Sequence, residues 1–256
     1  MTKQDARLDV AVLNKFAKAE LLYEGKAKTV YKIEGEDNLL WLDYKDSLTA
    51  FNAQKKGSFE NKGGVNREIT SIIFRFLNRR GVKSHWVGDR DGNAMICEKL
   101  TMIPLEVVVR NSVAGSLAKK IGVAEGAEIK PPLVEFYYKN DKLEDPFISD
   151  DQALFLKCVE GQNDLNELKE KARVINQALI EFFSRLGVKL IDFKIEFGRN
   201  ERSEIVLGDE ITPDSCRLWD IKTGERLDKD RFRRDLGRVA ESYQEVLGRI
   251  RAVWGG

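Results

Sequence analysis

The sequence has one histidine, His85, and three cysteines, Cys97, Cys158 and Cys216, which form no Cys-x-x-Cys pair. A Ser-His-Asp triad or a histidine-based metal centre would have to rest on that one imidazole, so both are set aside. His85 reads instead as a partly exposed strand residue beside Trp86. The scattered cysteines argue against a disulfide framework or a zinc site and fit a reducing compartment. No apolar run approaches membrane-spanning length. The start, Met1 to Glu20, mixes both signs of charge and has no secretory h-region. There is no excess of one charge either: Lys+Arg number 43 and Asp+Glu 42. Binding of a polyanion would then depend on local clusters, not on a global field. Neither a P-loop nor a Rossmann glycine fingerprint is present. These absences point to a soluble cytoplasmic protein with no nucleic-acid or membrane partner.

What is present suits a folded enzyme. The 256 residues, 42% of them hydrophobic, are enough for one large domain or two lobes around a cleft. Leu8, Val12 and Phe16 recur every four residues and predict a short amphipathic helix within an extension, residues 1–20. Thr29 to Ile33 and Leu39 to Asp43 predict a hairpin around Gly35, and Asp91-Gly92 predicts a second. Val65, Ile69, Ile72, Ile73, Phe76 and Leu77 have helical spacing, ended by Gly81. In the second half, Leu105 to Val109 suits a buried strand, followed by a helix from Gly115. Pro131-Pro132 is read as a chain break. Leu165 through Leu186 form a long helical stripe ended by Gly187. Val188 to Phe197 and Glu204 to Leu207 read as strands. Phe232, Leu236, Val239, Tyr243, Val246 and Ile250 read as one terminal helix stripe. The expected fold is α+β, with a strand-rich N-terminal lobe over residues 1–103 and a mixed C-terminal lobe over 104–256.

Several segments carry chemistry. Gly25-Lys26-Ala27-Lys28-Thr29 puts two ammonium groups about 7 Å apart on one strand face, a spacing that straddles adjacent phosphates. A solvated strand edge with lysine gatekeepers has the same spacing. Leu190-Ile-Asp-Phe-Lys-Ile-Glu-Phe-Gly198 alternates strictly: Ile191, Phe193, Ile195 and Phe197 face one way, Asp192, Lys194 and Glu196 the other. A hairpin to Val206-Leu-Gly-Asp-Glu210 brings Asp209 near Glu196, and two carboxylates suit Mg²⁺ shared with phosphate and water. An exposed amphipathic strand with self-paired charges stands level with that reading. The third segment is Pro104 to Ser116. There a buried strand delivers Arg110, and Ala114-Gly115-Ser116 opens a helix whose N–H groups favour anions. Ser116 as an ordinary helix cap is the commoner meaning. Asp228-Lys-Asp-Arg-Phe-Arg233 reads as a solvated helix start with Asp228 or Asp230 as cap.

Taken in order, these segments resemble the SAICAR synthetase family from about Leu21 to the C-terminus. The carriers are Leu22 to Tyr31, Ile103 to Ser116, Leu190 to Gly198, Leu207 to Glu210 and Asp228 to Arg233. The resemblance implies ligation of L-aspartate to carboxyaminoimidazole ribonucleotide (CAIR), with ATP as co-substrate and Mg²⁺ as cofactor. It also implies a fold similar to the ATP-grasp and protein-kinase arrangement, with the nucleotide between the lobes. Carried over residue by residue, Lys26, Lys28 and Lys139 attend the ATP phosphates, and Glu98 to Met102 form the hinge beside adenine. Glu196 and Asp209 hold Mg²⁺. Arg110, Ser116, Arg217 and Arg233 recognise CAIR, and Asp192 and Lys194 lie in the same site as catalytic residues. The chain departs from the family pattern in its first 20 residues and at Asn52, where some members carry an acidic residue. Such a reaction needs positioning and charge neutralisation, not a Cys or Ser nucleophile. The alternatives are another carboxylate–amine ligase or small-molecule kinase on the same scaffold, and a non-catalytic nucleotide-binding module. A closed homodimer is the default assembly.

Overall fold

The computed structural model describes residues 10–50 and 54–255. Its elements begin with α1 (Val10–Leu13), β1 (Lys18–Glu24), β2 (Lys28–Ile33) and β3 (Glu36–Tyr44). Next come β4 (Ser47–Ala50), β5 (Lys55–Ser58), α2 (Lys62–Asn78), β6 (Trp86–Asp89) and β7 (Ala94–Glu98). The second half opens with β8 (Thr101–Ser112), α3 (Gly115–Ile121), β9 (Glu128–Tyr138) and β10 (Phe147–Ile148). Then follow α4 (Asp150–Phe155), α5 (Gln162–Ser184), β11 (Val188–Arg199), β12 (Ile205–Gly208) and β13 (Cys216–Asp220). Two helices, α6 (Asp230–Arg233) and α7 (Val239–Trp254), close the chain.

Both main sheets are antiparallel. One has the order β1-β2-β3-β7-β6, and the other runs β10-β9-β8-β11-β12 with β13 also paired to β11. Period-two alternation gives the first sheet two packed faces. Ile33, Trp41 and Ile96 pack on one, and Leu42, Tyr44 and Cys97 on the other. Beneath the second sheet lies the principal core. The α5 stripe Leu165, Leu168, Ala172, Ile175 and Leu179 meets Phe193, Ile195 and Phe197 of β11 there. Although α2 lies in the first half of the sequence, its Val65, Ile69, Ile73 and Leu77 join that same core. All three cysteines are buried and free.

Four expectations need correction. Residues 1–20 do not form one helix. Leu8 lies outside the described residues, α1 covers Val10–Leu13 of the described residues, and a strand begins at Lys18. Leu13, not Val12, is the buried anchor, and it sits so close to Gly88 that a Cβ there would be 2.3 Å from Leu13 Cδ1. Pairing with β2 overrides the helical propensity of Lys18–Glu24. Pro131-Pro132 does not break the chain but lies inside β9. The prolines fall beyond the part of β9 that pairs with β10, beside a register shift against β8, where a missing N–H leaves no ladder bond unmade. The terminal stripe is two helices, because Gly237 and Arg238 adopt positive φ and separate Phe232 and Leu236 from α7. His85 is buried, its ring edge-on to Phe74 at 5.7 Å between centroids.

Candidate functional site

The site is built on two neighbouring strands. β8 and β11 pair with Arg110 opposite Asp192, Val108 opposite Lys194 and Glu106 opposite Glu196. Opposed residues share a sheet face, so the polar members of both strands converge on one side and the apolar members on the core. Glu196 also pairs with Gly208 of β12, which delivers Asp209 to the same side. Two cavities open there. A cleft of about 410 Å³ is lined by Lys26, Lys28, Glu98, Met102, Lys139, Glu196 and Asp209. A second pocket of about 370 Å³ is lined by Arg110, Ser116, Asp192, Arg217, Lys229 and Arg233. Lys26, Glu106, Asp145 and Lys194 line both.

Charge in the first cleft is tightly matched. Lys194 Nζ donates to Glu106 Oε1 and Glu196 Oε1, both at 2.8 Å, and stands 3.9 Å from Asp209 Oδ2. Lys139 donates to the other oxygen of Glu196, and Lys28 to Asp209 Oδ1. Lys28 also lies 3.2 Å from Glu210 Oε2. Burial alone would raise the Asp209 carboxyl, but Lys28, Lys194 and Lys139 outweigh it and hold the group well below the usual carboxylate range. Burial would likewise lower Lys28 and Lys194, yet their carboxylate partners carry both well above the ordinary lysine value. The Glu106 carboxyl is raised by burial, only partly offset by Lys194.

Glu196 and Asp209 are thus two adjacent carboxylates of the kind Mg²⁺ takes alongside phosphate oxygens and water. Among the described residues no cluster of three or more His, Cys, Asp or Glu side chains stands ready to hold a metal by itself. This donor set fits a cation shared with a phosphate, not an all-protein cage. Asp209 holds φ 56°, a left-handed conformation that aims its carboxylate inward.

The Glu98–Met102 segment joins the two sheets and lines the cleft. It crosses so close to β11 that a Cβ on Gly198 would be 2.7 Å from Leu100 Cβ and 3.0 Å from the Thr101 carbonyl oxygen. Glycine at the end of the 190–198 segment is therefore required by chain crossing. His85 supports the same joint. Its N–H donates to the Leu207 carbonyl, and its Nε2 lies 3.2 Å from the Asp209 carbonyl. Burial, reinforced by Lys28, lowers its pKa to about 4, so the ring is neutral at pH 7.

In the second pocket the arginines form a chain of ion pairs. Arg110 Nε donates to Glu135 at 2.6 Å, Nη1 to Asp192 at 3.0 Å and Nη2 to Tyr137 at 3.0 Å. Two of its five N–H donors remain. Arg217 bridges Asp192 and Asp230, and Asp230 also accepts from Arg233 at 2.7 Å. Gly115 makes room for this chain. Its φ is 57°, and a Cβ there would lie 2.4 Å from Arg217 Nη2.

A model of the SAICAR synthetase family matches residues 21–250. The chain belongs to that family. It is 52% identical over 233 residues to the phosphoribosylaminoimidazole-succinocarboxamide synthase of Halalkalibacterium halodurans, covering 91% of this chain and 98% of the relative. Among solved structures, a SAICAR synthetase in complex with ADP superposes with a TM-score of 0.87 at 45% identity, covering 90% of this chain and 97% of that one. The enzyme from Ehrlichia chaffeensis gives a TM-score of 0.88 at 41% identity, covering 91% and 99%.

Seen as a SAICAR synthetase, the chain brings every residue that the resemblance assigns to a ligand, metal or catalytic role to one of the two cavities. Asn52 lies outside the described residues. Two readings change. Ser116 is not the cap of α3: Ala114 holds that position, and the Gly115 N–H donates to Glu125 Oε1 at 2.9 Å. The exposed Ser116 hydroxyl lines the pocket instead. Asp228 and Asp230 are buried, not solvated caps. Asp228 accepts the Leu218 and Asp230 N–H groups, both at 2.7 Å, and burial beside Asp230 raises its pKa to about 7. Sequence reasoning missed Glu106, Tyr137, Asp214 and Lys229. Glu106 had a local signal, since a charged residue inside the apolar run 105–109 is costly unless paired. Lys229 lies in the basic segment Asp228–Arg233, where the resemblance assigns a role to Arg233 alone, and Tyr137 and Asp214 carry no local signal.

Proposed function

We propose that this chain joins L-aspartate to the carboxylate of CAIR, with ATP converted to ADP and phosphate, in purine synthesis. ATP-dependent ligation of this kind is the activity of the family to which it belongs. The observation that carries the reading is the wall shared by the two cavities. A cleft with lysines and a carboxylate pair meets an arginine-lined pocket at Lys194 and Glu106. A phosphoryl group bound on one side is thereby next to an anionic acceptor bound on the other.

In this proposal Lys26, Lys28 and Lys139 attend the ATP phosphates, and Glu98 and Met102 flank adenine. Glu196 and Asp209 hold Mg²⁺, which neutralises phosphate charge when bound. Arg110, Ser116, Arg217 and Arg233 hold CAIR. Asp192 positions Arg110 and Arg217 together, and Lys194 stabilises charge on the transferring group. The CAIR carboxylate oxygen attacks the γ-phosphorus and ADP leaves. Aspartate's amine then displaces phosphate from the acyl phosphate and gives up a proton to a carboxylate or water. We assign residues 1–103 to the first lobe and 104–256 to the second, with α2 packed on the second. A cytoplasmic homodimer completes the proposal. Among the described residues no helix is long and apolar enough to cross a membrane.

The test is ADP release with each substrate omitted in turn. Release is expected only with ATP, CAIR and aspartate together, and equal release without aspartate or without CAIR would overturn the reading. A double dissociation assigns the two cavities. Lys28→Ala is expected to weaken ATP binding about tenfold or more and leave CAIR affinity within about twofold. Arg110→Lys is expected to do the reverse, because lysine cannot replace the fork that spans Glu135, Asp192 and Tyr137. Calorimetry with each ligand separately reads both, and equal effects on the two ligands would reject the assignment.

A further inference from the structure

Lys28 is held from three sides. On β2 it stands directly opposite Tyr44 of β3, and its Nζ lies 5.1 Å from the centre of that ring. Asp209 and Glu210, which follow β12, supply two carboxylates. The two differ in what they can reach. Asp209 lines the first cleft, and its Oδ1 accepts a hydrogen bond from Lys28. Glu210 is 5% exposed and lines neither cavity, so its side chain faces protein and not a ligand. Its Oε1 accepts from the Thr212 hydroxyl at 3.3 Å. Its Oε2 is buried and, among the described residues, has no hydrogen-bond partner; Lys28 Nζ stands 3.2 Å away.

A buried carboxylate oxygen left in that state is costly. A shift of about 0.3–0.5 Å would bring the lysine to the roughly 2.7–2.9 Å of a charge-assisted hydrogen bond. Asp209 opposes the shift, because it holds the same ammonium. Asp209 is also the carboxylate assigned to Mg²⁺. An oxygen taken by a metal no longer serves Lys28, and a buried ammonium stripped of its last carboxylate is strongly destabilised. Lys28 keeps one in reserve. Burial would lower its pKa, and Asp209 and then Glu210 are the leading charges that oppose this. The exchange needs side-chain movement alone, since the Asp209 carbonyl is met by His85 Nε2 at 3.2 Å.

We propose that Glu210 is a positioning residue: it holds Lys28 in the cleft while Asp209 passes from that lysine to the metal. The inference rests on the proposed function for the metal site, and on the geometry around Lys28 for the exchange.

The readout is how much Mg²⁺ tightens ADP binding, measured by calorimetry in chelator and in saturating Mg²⁺. Wild type, Glu210→Gln, Lys28→Met and the double variant are compared, and thermal unfolding checks that each is folded. Glu210→Gln is expected to shrink the gain from Mg²⁺ about fivefold to tenfold, because Asp209 is then the last carboxylate Lys28 has. Its metal-free ADP affinity is expected to stay within about threefold, since the phosphates still meet Lys28. In the Lys28→Met background most of the loss caused by Glu210→Gln is expected to vanish. A gain that Glu210→Gln leaves intact overturns the proposal. So does an equal loss in both backgrounds, which would mean that Glu210 acts by its charge alone and not through Lys28. A crystal structure of wild type with Mg²⁺ and ADP needs no variant. Lys28 Nζ is expected within hydrogen-bond distance of Glu210 Oε2 and parted from Asp209 Oδ1; a lysine still on Asp209, or clear of Glu210, also overturns it. Wild-type ADP affinity that ignores Mg²⁺ rejects the metal site of the proposed function and this inference with it, whereas a gain unchanged by Glu210→Gln rejects only the role of Glu210.

Discussion

Asp209→Asn and Glu196→Gln are each expected to lower turnover by about a thousandfold or more while the protein still folds. Both substitutions keep shape and remove one negative charge. Asparagine also tolerates the left-handed backbone at position 209, which alanine would strain. Lys28, Lys139 and Lys194 converge on the two carboxylates, so neutralising one leaves the cleft more positive. ATP is then expected to bind within about tenfold of wild type, because its phosphates meet the same lysines. The loss falls on the metal-dependent step instead. Steady-state rates across a Mg²⁺ titration, with ATP binding measured separately, read the two effects. Near-normal turnover of both variants at ordinary Mg²⁺ would remove Glu196 and Asp209 from the metal site.

The second large effect is expected at Lys194, which stands where the two cavities meet. Its ammonium contacts Glu106 and Glu196 and faces Asp209. Lys194→Met is expected to lower kcat by about a hundredfold to ten-thousandfold, the range for loss of a fixed charge aimed at a reacting group. It also leaves buried carboxylates with one cation fewer. Glu106, already raised by burial, rises further without Lys194. A carboxyl whose folded pKa exceeds its unfolded value binds more protons when folded, so its contribution to stability falls as pH rises through that range. The thermal-stability deficit of Lys194→Met is therefore expected to be larger at neutral pH than near pH 5. Unfolding curves over that interval check the sign. A deficit that grows on acidification would show that Lys194 is not what keeps these carboxylates apart. A kcat within a few fold of wild type would remove it from the reacting centre.

Much of the fold was legible because its signals are local. The stripes of α2 and α5 follow from helical spacing, and the hairpin at Asp91-Gly92 from turn chemistry. Elements without a local signal escaped. β1 carries helix formers and is a strand only because β2 offers it a partner. The prolines of β9 are tolerated only because their side of the strand lacks a neighbour there. The stripe from Phe232 to Ile250 has one period but two helices, since a positive-φ turn at Gly237 and Arg238 leaves the spacing of apolar residues unchanged.

By itself the sequence determined the family, through the segments at 22–31, 103–116 and 190–198, and it determined which side chains can share a strand face. Alternation in 190–198 set Asp192, Lys194 and Glu196 apart from the core residues between them. Tertiary structure alone decided which strand lies beside that one, and in what register. Pairing β8 with β11 set Arg110 against Asp192 and Glu106 against Glu196, and so made one wall serve two cavities. It also decided that Asp214 is committed to Lys62, Asn66 and Tyr243. The reason is one of range. Periodicity is set by the geometry of a single strand or helix, whereas register and charge balance depend on how distant elements bury their apolar faces together.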